Sequence, residues 1–197
     1  MSPTSPGDEL RQQAGRGGRT ALLVVDMLND YDHPDGDVLR ESATSVVPVI
    51  GELLERARAE DVPIVHVNDN HGVWGGTPEA LVRSSREGAG AELIDPVAPA
   101  DGVPFLFKAR HSAFFGSALE YLLQTEGIGR LVLTGQVTEQ CILYTTLDAY
   151  IRHFDVVVPH DAVAHIDAEL ADAALRMMRS NMRAQTPAAA EVDLGPE

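Results

Sequence analysis

Three side chains in this sequence have the types and the setting for covalent chemistry: Cys141, Asp26 and Lys108, each standing at or just past the end of a short apolar run. Cys141 closes the stretch G-Q-V-T-E-Q-C at 135–141 and is the only cysteine in the chain. Residues 130–135 before it read as a buried strand. Residues 142–150 after it, apolar at 142, 143, 147 and 150, read as a helix packed on a sheet. Thr138 has the type of an N-cap, Glu139 complements the positive end of the helix dipole, and Cys141 falls at the third helical position. Free backbone N–H groups and the dipole are expected to lower the pKa of a thiol held there. The same N–H groups can receive an oxyanion. A carboxylate near the thiol can act as a base and a lysine can stabilise developing charge, so the trio suits acyl transfer. Each member also has a plain reading: a small buried hydrophobe, a helix cap and a solvated cation.

The elements that must position these groups are strands alternating with helices. Residues 20–25 are continuously apolar before Asp26, the pattern of a strand covered on both faces in a parallel sheet. Further strands are predicted at 62–68, 105–108, 130–135 and 155–159, with a weak sixth near 183–186. Helices are predicted at 45–60, near 78–84, at 117–125, at 142–150 and at 167–183. Short connections between these elements admit only crossovers, giving an α/β fold: a doubly wound, mostly parallel sheet of about six strands with helices on both faces, Rossmann-like. In such sheets ligands bind beyond the carboxyl ends of the strands, where strand order reverses. Asp26, Lys108 and Cys141 are all expected on that rim. Residues 1–18 read as a flexible N-terminal tail, 19–187 as one domain and 188–197 as a flexible C-terminal tail.

Composition narrows the function. A chain of 197 residues suits one domain with a sizeable core. The formal net charge of −15 argues against nucleic acid and against an anionic membrane as partners. No apolar run approaches a membrane span and no secretory signal is visible. With a single cysteine, this points to a cytoplasmic protein whose partner is a small molecule. No G-x-G-x-x-G or P-loop pattern follows a strand, so no nucleotide cofactor is expected.

In combination, the motifs A-L-L-V-V-D-M ending with Asp26 and Met27, V-N-D-N at 67–70, K-A-R-H-S-A-F at 108–114 and G-Q-V-T-E-Q-C at 135–141 resemble the isochorismatase-like cysteine hydrolases. That superfamily also contains nicotinamidases and N-carbamoylsarcosine amidases, and the resemblance runs from about Thr20 to Met182. It implies a catalytic triad of Asp26, Lys108 and Cys141. It implies an oxyanion hole at the backbone of Val137, Thr138 and Cys141, with a non-proline cis peptide at Val137–Thr138. It also implies a homo-oligomer, dimer or tetramer. Asp69 and His71 match the first two of the metal ligands that nicotinamidases use. No histidine occurs between 72 and 110, so no metal and no cofactor are expected. His71 then reads as a loop residue at the pocket mouth. Tyr31, Asn70, Trp74, Phe114 and Gln136 are the candidates for substrate binding, with core packing as the other reading for the aromatics. Asp161 reads as structural, and His111 stands beside the Lys108 site.

The function implied is hydrolysis of a C–N bond in a small amide through a thioester at Cys141. A vinyl ether hydrolase of the isochorismatase type and a non-catalytic binding protein on the same fold are the alternatives.

Overall fold

The computed structural model describes residues 18–195. The proposed tail at 1–18 therefore lies almost wholly outside the described residues. Six strands form one parallel sheet: β1 (Arg19–Val25), β2 (Ile64–Asp69), β3 (Phe105–Lys108), β4 (Ile128–Gln136), β5 (Asp155–Val157) and β6 (Val163–Ala164). Their order is β3-β2-β1-β4-β5, with β6 paired to the end of β4. The order reverses between β1 and β4, so the switch point falls where Val25 is paired with Gly135. The closeness of that pairing explains the glycine. A Cβ at Gly135 would stand 2.0 Å from the Val25 carbonyl oxygen, and its φ of +115° is one that side chains resist.

Five helices cover the sheet: α1 (Gly36–Ala59), α2 (Pro78–Glu87), α3 (Leu119–Thr125), α4 (Leu143–Ile151) and α5 (Ala168–Met182). Helix α1 lays Leu39, Val46, Val47, Ile50, Leu53 and Leu54 against Leu22, Val24 and Val132 of the sheet. On the other face Leu119, Leu123, Ile142, Ala149, Ala174 and Met178 pack on Leu23, Val65, Leu131 and Leu133. Each of these larger side chains contributes about 1.5–3 kcal/mol on burial. Both sheet faces are covered, so the strands are largely apolar, with buried polar residues such as His66, Asn68 and Thr134 as exceptions, and their register shows in no alternation.

Four expectations are corrected. Helix α1 begins at Gly36, well before residue 45, because Leu39 and Ala43 extend the same buried stripe. The sixth strand is Val163–Ala164, held beside Gly135 and Gln136, whereas near residues 183–186 only Gln185 makes a single bridge, to Val157. The C-terminal segment is packed. Ala189, Val192 and Leu194 are buried, and the carbonyls of Ala189 and Val192 accept from the Arg56 guanidinium. The Asp193 carbonyl accepts from Arg130 at 2.6 Å. Residue 161 turns this segment: the Asp161 carboxylate accepts from the Ala189 N–H at 2.8 Å. Finally, Thr138 does not cap a helix. Its hydroxyl donates to the Ala164 carbonyl at 2.8 Å, and residues 138–142 form a π-helical turn in which the N–H groups of Gln140 and Ile142 both reach the Val137 carbonyl. No helix among the described residues is long and apolar enough to cross a membrane.

Candidate active site

At the carboxyl edge of β1, β2, β3 and β4 the chain gathers Asp26, Asp69, Lys108 and Cys141. Lys108 is the last residue of β3, paired in register with Asp69, the last of β2. Its ammonium is completely buried and reaches Asp26 Oδ2 at 2.9 Å and Asp69 Oδ2 at 3.1 Å. The third contact is Cys141 Sγ, at 3.6 Å. Three partners match the three N–H donors of an ammonium, which removes the main objection to burying it.

Asp26 is held from every side. It follows β1 with φ at +55°, in the left-handed region. Its N–H donates to the Val67 carbonyl at 2.9 Å, and its carbonyl accepts Gln136 Nε2 at 2.7 Å. Its Oδ1 accepts the Asp69 N–H at 2.6 Å. The Cys141 thiol hydrogen-bonds to the same carboxylate.

The electrostatics follow from this crowding. Burial pushes the Cys141 thiol far above its ordinary range. The Asp26 carboxylate adds to the rise, and Lys108 and a hydrogen bond from the Val137 backbone only partly oppose it. The expectation of a lowered thiol pKa is thus corrected. The first turn is wound around the Val137 carbonyl, and a carboxylate lies against the sulfur. Burial likewise raises Asp26, with Lys108 opposing. For Lys108 burial works downward, but Asp26, Cys141 and Asp69 outweigh it and raise the ammonium pKa. For Asp69 burial works upward and is outweighed by Lys108 and by the His71 N–H, leaving the carboxyl below its usual range. The resting site therefore holds a thiol beside a carboxylate of raised basicity, with a lysine behind both whose charged form its neighbours favour.

The non-proline cis peptide is Gln136–Val137, one bond earlier than Val137–Thr138. Gln136 is still paired in the sheet with Ala164, and the chain leaves the ladder immediately after it. Val137 presents its N–H to the cysteine sulfur.

The candidate substrate-binding residues separate. Gln136 and Tyr31 are buried and bonded to each other, Tyr31 Oη donating to Gln136 Oε1 at 3.4 Å. Both therefore support the floor beneath Asp26. Burial raises the Tyr31 phenol to about 12. Asn70 lines a cavity of about 380 Å³ next to the cluster. Trp74 is 82 % exposed and lines neither this cavity nor the core. Phe114 is a core residue, 6.0 Å from the Phe154 ring and 4.8 Å beneath the Arg152 guanidinium. The Ala113 N–H just before it is tied to Thr145 Oγ1 of α4 at 2.9 Å. His111 is exposed and stacks on Tyr144 at 5.4 Å. Asp69 and His71 do not fit a metal. Asp69 Oδ2 is taken by Lys108 and Oδ1 by the His71 N–H, and no group of three or more His, Cys, Asp or Glu is placed to hold an ion among the described residues.

Sequence reading missed Asp69 as a partner of Lys108, although an acid ending an apolar strand was the same signal that singled out Asp26. It also missed Asn68, whose side chain clamps the Leu28 backbone through Oδ1 at 3.0 Å and Nδ2 at 3.1 Å. Glu139 Oε1, expected to serve the helix dipole, accepts from the Ile166 and Asp167 N–H groups instead.

A parallel sheet in this order, with a carboxylate, a lysine and a cysteine converging at its switch point, defines an isochorismatase-like α/β domain. The isochorismatase domain model matches residues 20–190, and the chain belongs to that family. It is 33% identical over 165 residues to the uncharacterized isochorismatase family protein YaaI of Bacillus subtilis, across 84% of this chain and 91% of that one. It is 27% identical to the N-carbamoylsarcosine amidase of an Arthrobacter species, across 78% of this chain and 62% of that protein. The crystal structure of an isochorismatase family protein from Desulfovibrio vulgaris superposes with a TM-score of 0.71 at 31% identity, covering 88% of this chain and 95% of that one.

Proposed function

We propose that this isochorismatase-family hydrolase cleaves the C–N bond of a small amide or carbamoyl compound, with Cys141 as nucleophile, Asp26 as proton shuttle and Lys108 as electrostatic support. One observation carries the reading: a single buried ammonium lies within reach of Asp26 Oδ2 at 2.9 Å and Cys141 Sγ at 3.6 Å. The resemblance to an N-carbamoylsarcosine amidase supports the bond type.

In the first step the Cys141 sulfur attacks the carbonyl carbon while Asp26 takes the thiol proton. Raised pKa values on both groups suit this concerted transfer, because the Asp26 carboxylate is a stronger base than usual and opposes a thiolate until it has itself taken the proton. The carbonyl oxygen becomes an oxyanion, and the N–H groups of Val137 and Cys141 are the donors proposed to receive it. Asp26 returns the proton to the departing nitrogen, so ammonia or an amine leaves and a thioester remains. Asp26 then takes a proton from water as the water oxygen attacks the thioester, and on collapse it returns that proton to the departing Cys141 sulfur, so the acid product leaves with thiol and carboxylate both restored. Lys108 stays protonated throughout, since Asp69 still faces it when Asp26 is neutral.

The family's own description supports a second reading, hydrolysis of a vinyl ether, in which Asp26 protonates carbon and the cysteine matters less. Acid-quenched intact-mass analysis during turnover, on wild type, Cys141→Ala and Asp26→Asn, separates the two. The amide reading predicts an acyl adduct on Cys141 and loss of turnover in both variants. Full turnover in Cys141→Ala would overturn it.

A further inference from the structure

The cavity of about 380 Å³ beside the cluster lies between the loop after β1, the loop after β2 and helix α2. None of Asp26, Lys108 or Cys141 lines it, but residues close to them in the chain do. Leu28 stands just past Asp26 and Phe107 just before Lys108, and the Asn70 N–H donates to the Lys108 carbonyl at 3.0 Å. A space of this size accommodates one ring or a short carbon chain.

The chemistry of the wall is selective. Leu28, Val73, Ala80, Leu81 and Phe107 make it largely apolar, and its formally charged members are both acids, Asp30 and Asp32. No lysine or arginine lines it; His33 and His71 are its remaining titratable groups. Of the arginines outside the wall, Arg40 is paired with Asp37 at 3.4 Å and Arg86 with Asp95 at 2.8 Å, while Arg83 on helix α2 is exposed and does not line the cavity. Lys108 is bound between two carboxylates. Ser85, also on the wall, is 1 % exposed and its hydroxyl has no hydrogen-bond partner among the described residues. A buried hydroxyl left unpaired favours any ligand that can bond to it.

We propose that this cavity receives the non-reacting part of the substrate, and that this part is apolar and either uncharged or cationic, not a carboxylate. A carboxylate entering here gives up water, finds no fixed cation and meets two like charges. This inference rests on the amide-hydrolase reading for where the scissile bond lies. Asp30 and Asp32 are exposed, so salt screens their effect, and the discrimination expected is about tenfold at low ionic strength.

The test uses binding in place of turnover. Full-length Cys141→Ala protein is titrated calorimetrically with three amides on one scaffold: benzamide, 3-(aminomethyl)benzamide and 3-carbamoylbenzoate. The first two should bind, and the carboxylate should bind about tenfold more weakly at low salt. The Asp30→Asn/Asp32→Asn double variant should narrow that gap to about twofold. Leu81→Trp should abolish binding of all three; if that variant does not fold, Val73→Trp on the exposed loop fills the same space. Equal or tighter binding of the carboxylate, no binding by any of the three, or undiminished binding in a folded filled variant would overturn the proposal. Because Cys141→Ala cannot turn over by the proposed route, the titrations read the cavity alone, and turnover of the same three amides by the wild type separates failure of this inference from failure of the amidase reading.

Discussion

The Asp69 backbone N–H holds Asp26 Oδ1 at 2.6 Å while the Asp69 carboxylate holds Lys108 at 3.1 Å, so one residue fixes both the proposed base and its cation. Asp69 thereby explains how a lysine survives complete burial next to the proposed proton shuttle. When Asp26 is protonated, Asp69 remains to balance the ammonium.

Because Asp26 raises the thiol pKa, its removal should move two assays in opposite directions. In Asp26→Asn, turnover collapses for want of a base. Alkylation of Cys141 by iodoacetamide at pH 7 becomes faster, by roughly threefold or more, since the carboxylate no longer opposes the thiolate that Lys108 favours. Slower alkylation in the variant would contradict the assignment of the thiol–carboxylate pair.

Lys108→Met leaves Asp26 and Asp69 facing each other without a cation. A loss of about 3–5 kcal/mol is expected in urea unfolding, together with loss of activity. Lys108→Arg should not rescue either property, because a planar guanidinium does not fit a site made for a compact ammonium.

His66 supplies a pH prediction independent of the active site. Its ring is buried in the middle of the sheet with Nε2 unpartnered, and burial depresses its pKa from 6.5 to about 4. The unfolded chain therefore binds a proton that the folded chain refuses. Stability should fall as pH drops from about 6.5 to about 4, by an amount on the order of 3 kcal/mol from this residue. Urea midpoints measured at pH 7 and pH 4.5 should converge more in His66→Leu than in wild type. An equal acid loss in both proteins would rule out His66 as a source of acid lability.

Gln136→Glu tests the floor of the site. The substitution replaces the amide that donates to the Asp26 carbonyl at 2.7 Å with an acceptor and a charge. A stability loss of about 1–3 kcal/mol is expected, with a further fall in turnover as Asp26 shifts. Tyr31→Phe removes only a 3.4 Å contact to the same side chain and should be mild by comparison.

The sheet and the three reactive positions were legible in the sequence for one physical reason. Strands buried on both faces are mostly apolar, so in β1 and β3 the first charged residue after the apolar run marks the rim, whereas β2 carries His66 and Asn68 before it reaches Asp69. That rule located Asp26 and Lys108, and the glycine demanded by the Val25–Gly135 approach marked the entrance to Cys141. Where a property depends on what stands opposite a residue, sequence was silent. The direction of the Cys141 shift turns on the Asp26 carboxylate, distant in the chain. Asp69 matched half of a metal-ligand pair in the sequence, which gave no sign that its oxygens would face Lys108 and the His71 N–H. The C-terminal segment looked unattached because its partners, Arg56 and Arg130, lie far upstream. Trp74 and Phe114 were chosen by type, and only the loop paths turn one to solvent and the other to the core.

The central claim is tested most directly by ammonia release from a panel of small amides and carbamoyl compounds, run on wild type beside Cys141→Ala. The account predicts release by the wild type that falls at least about a thousandfold in the variant. Equal release from the two proteins, or none from the wild type with any compound, would contradict it.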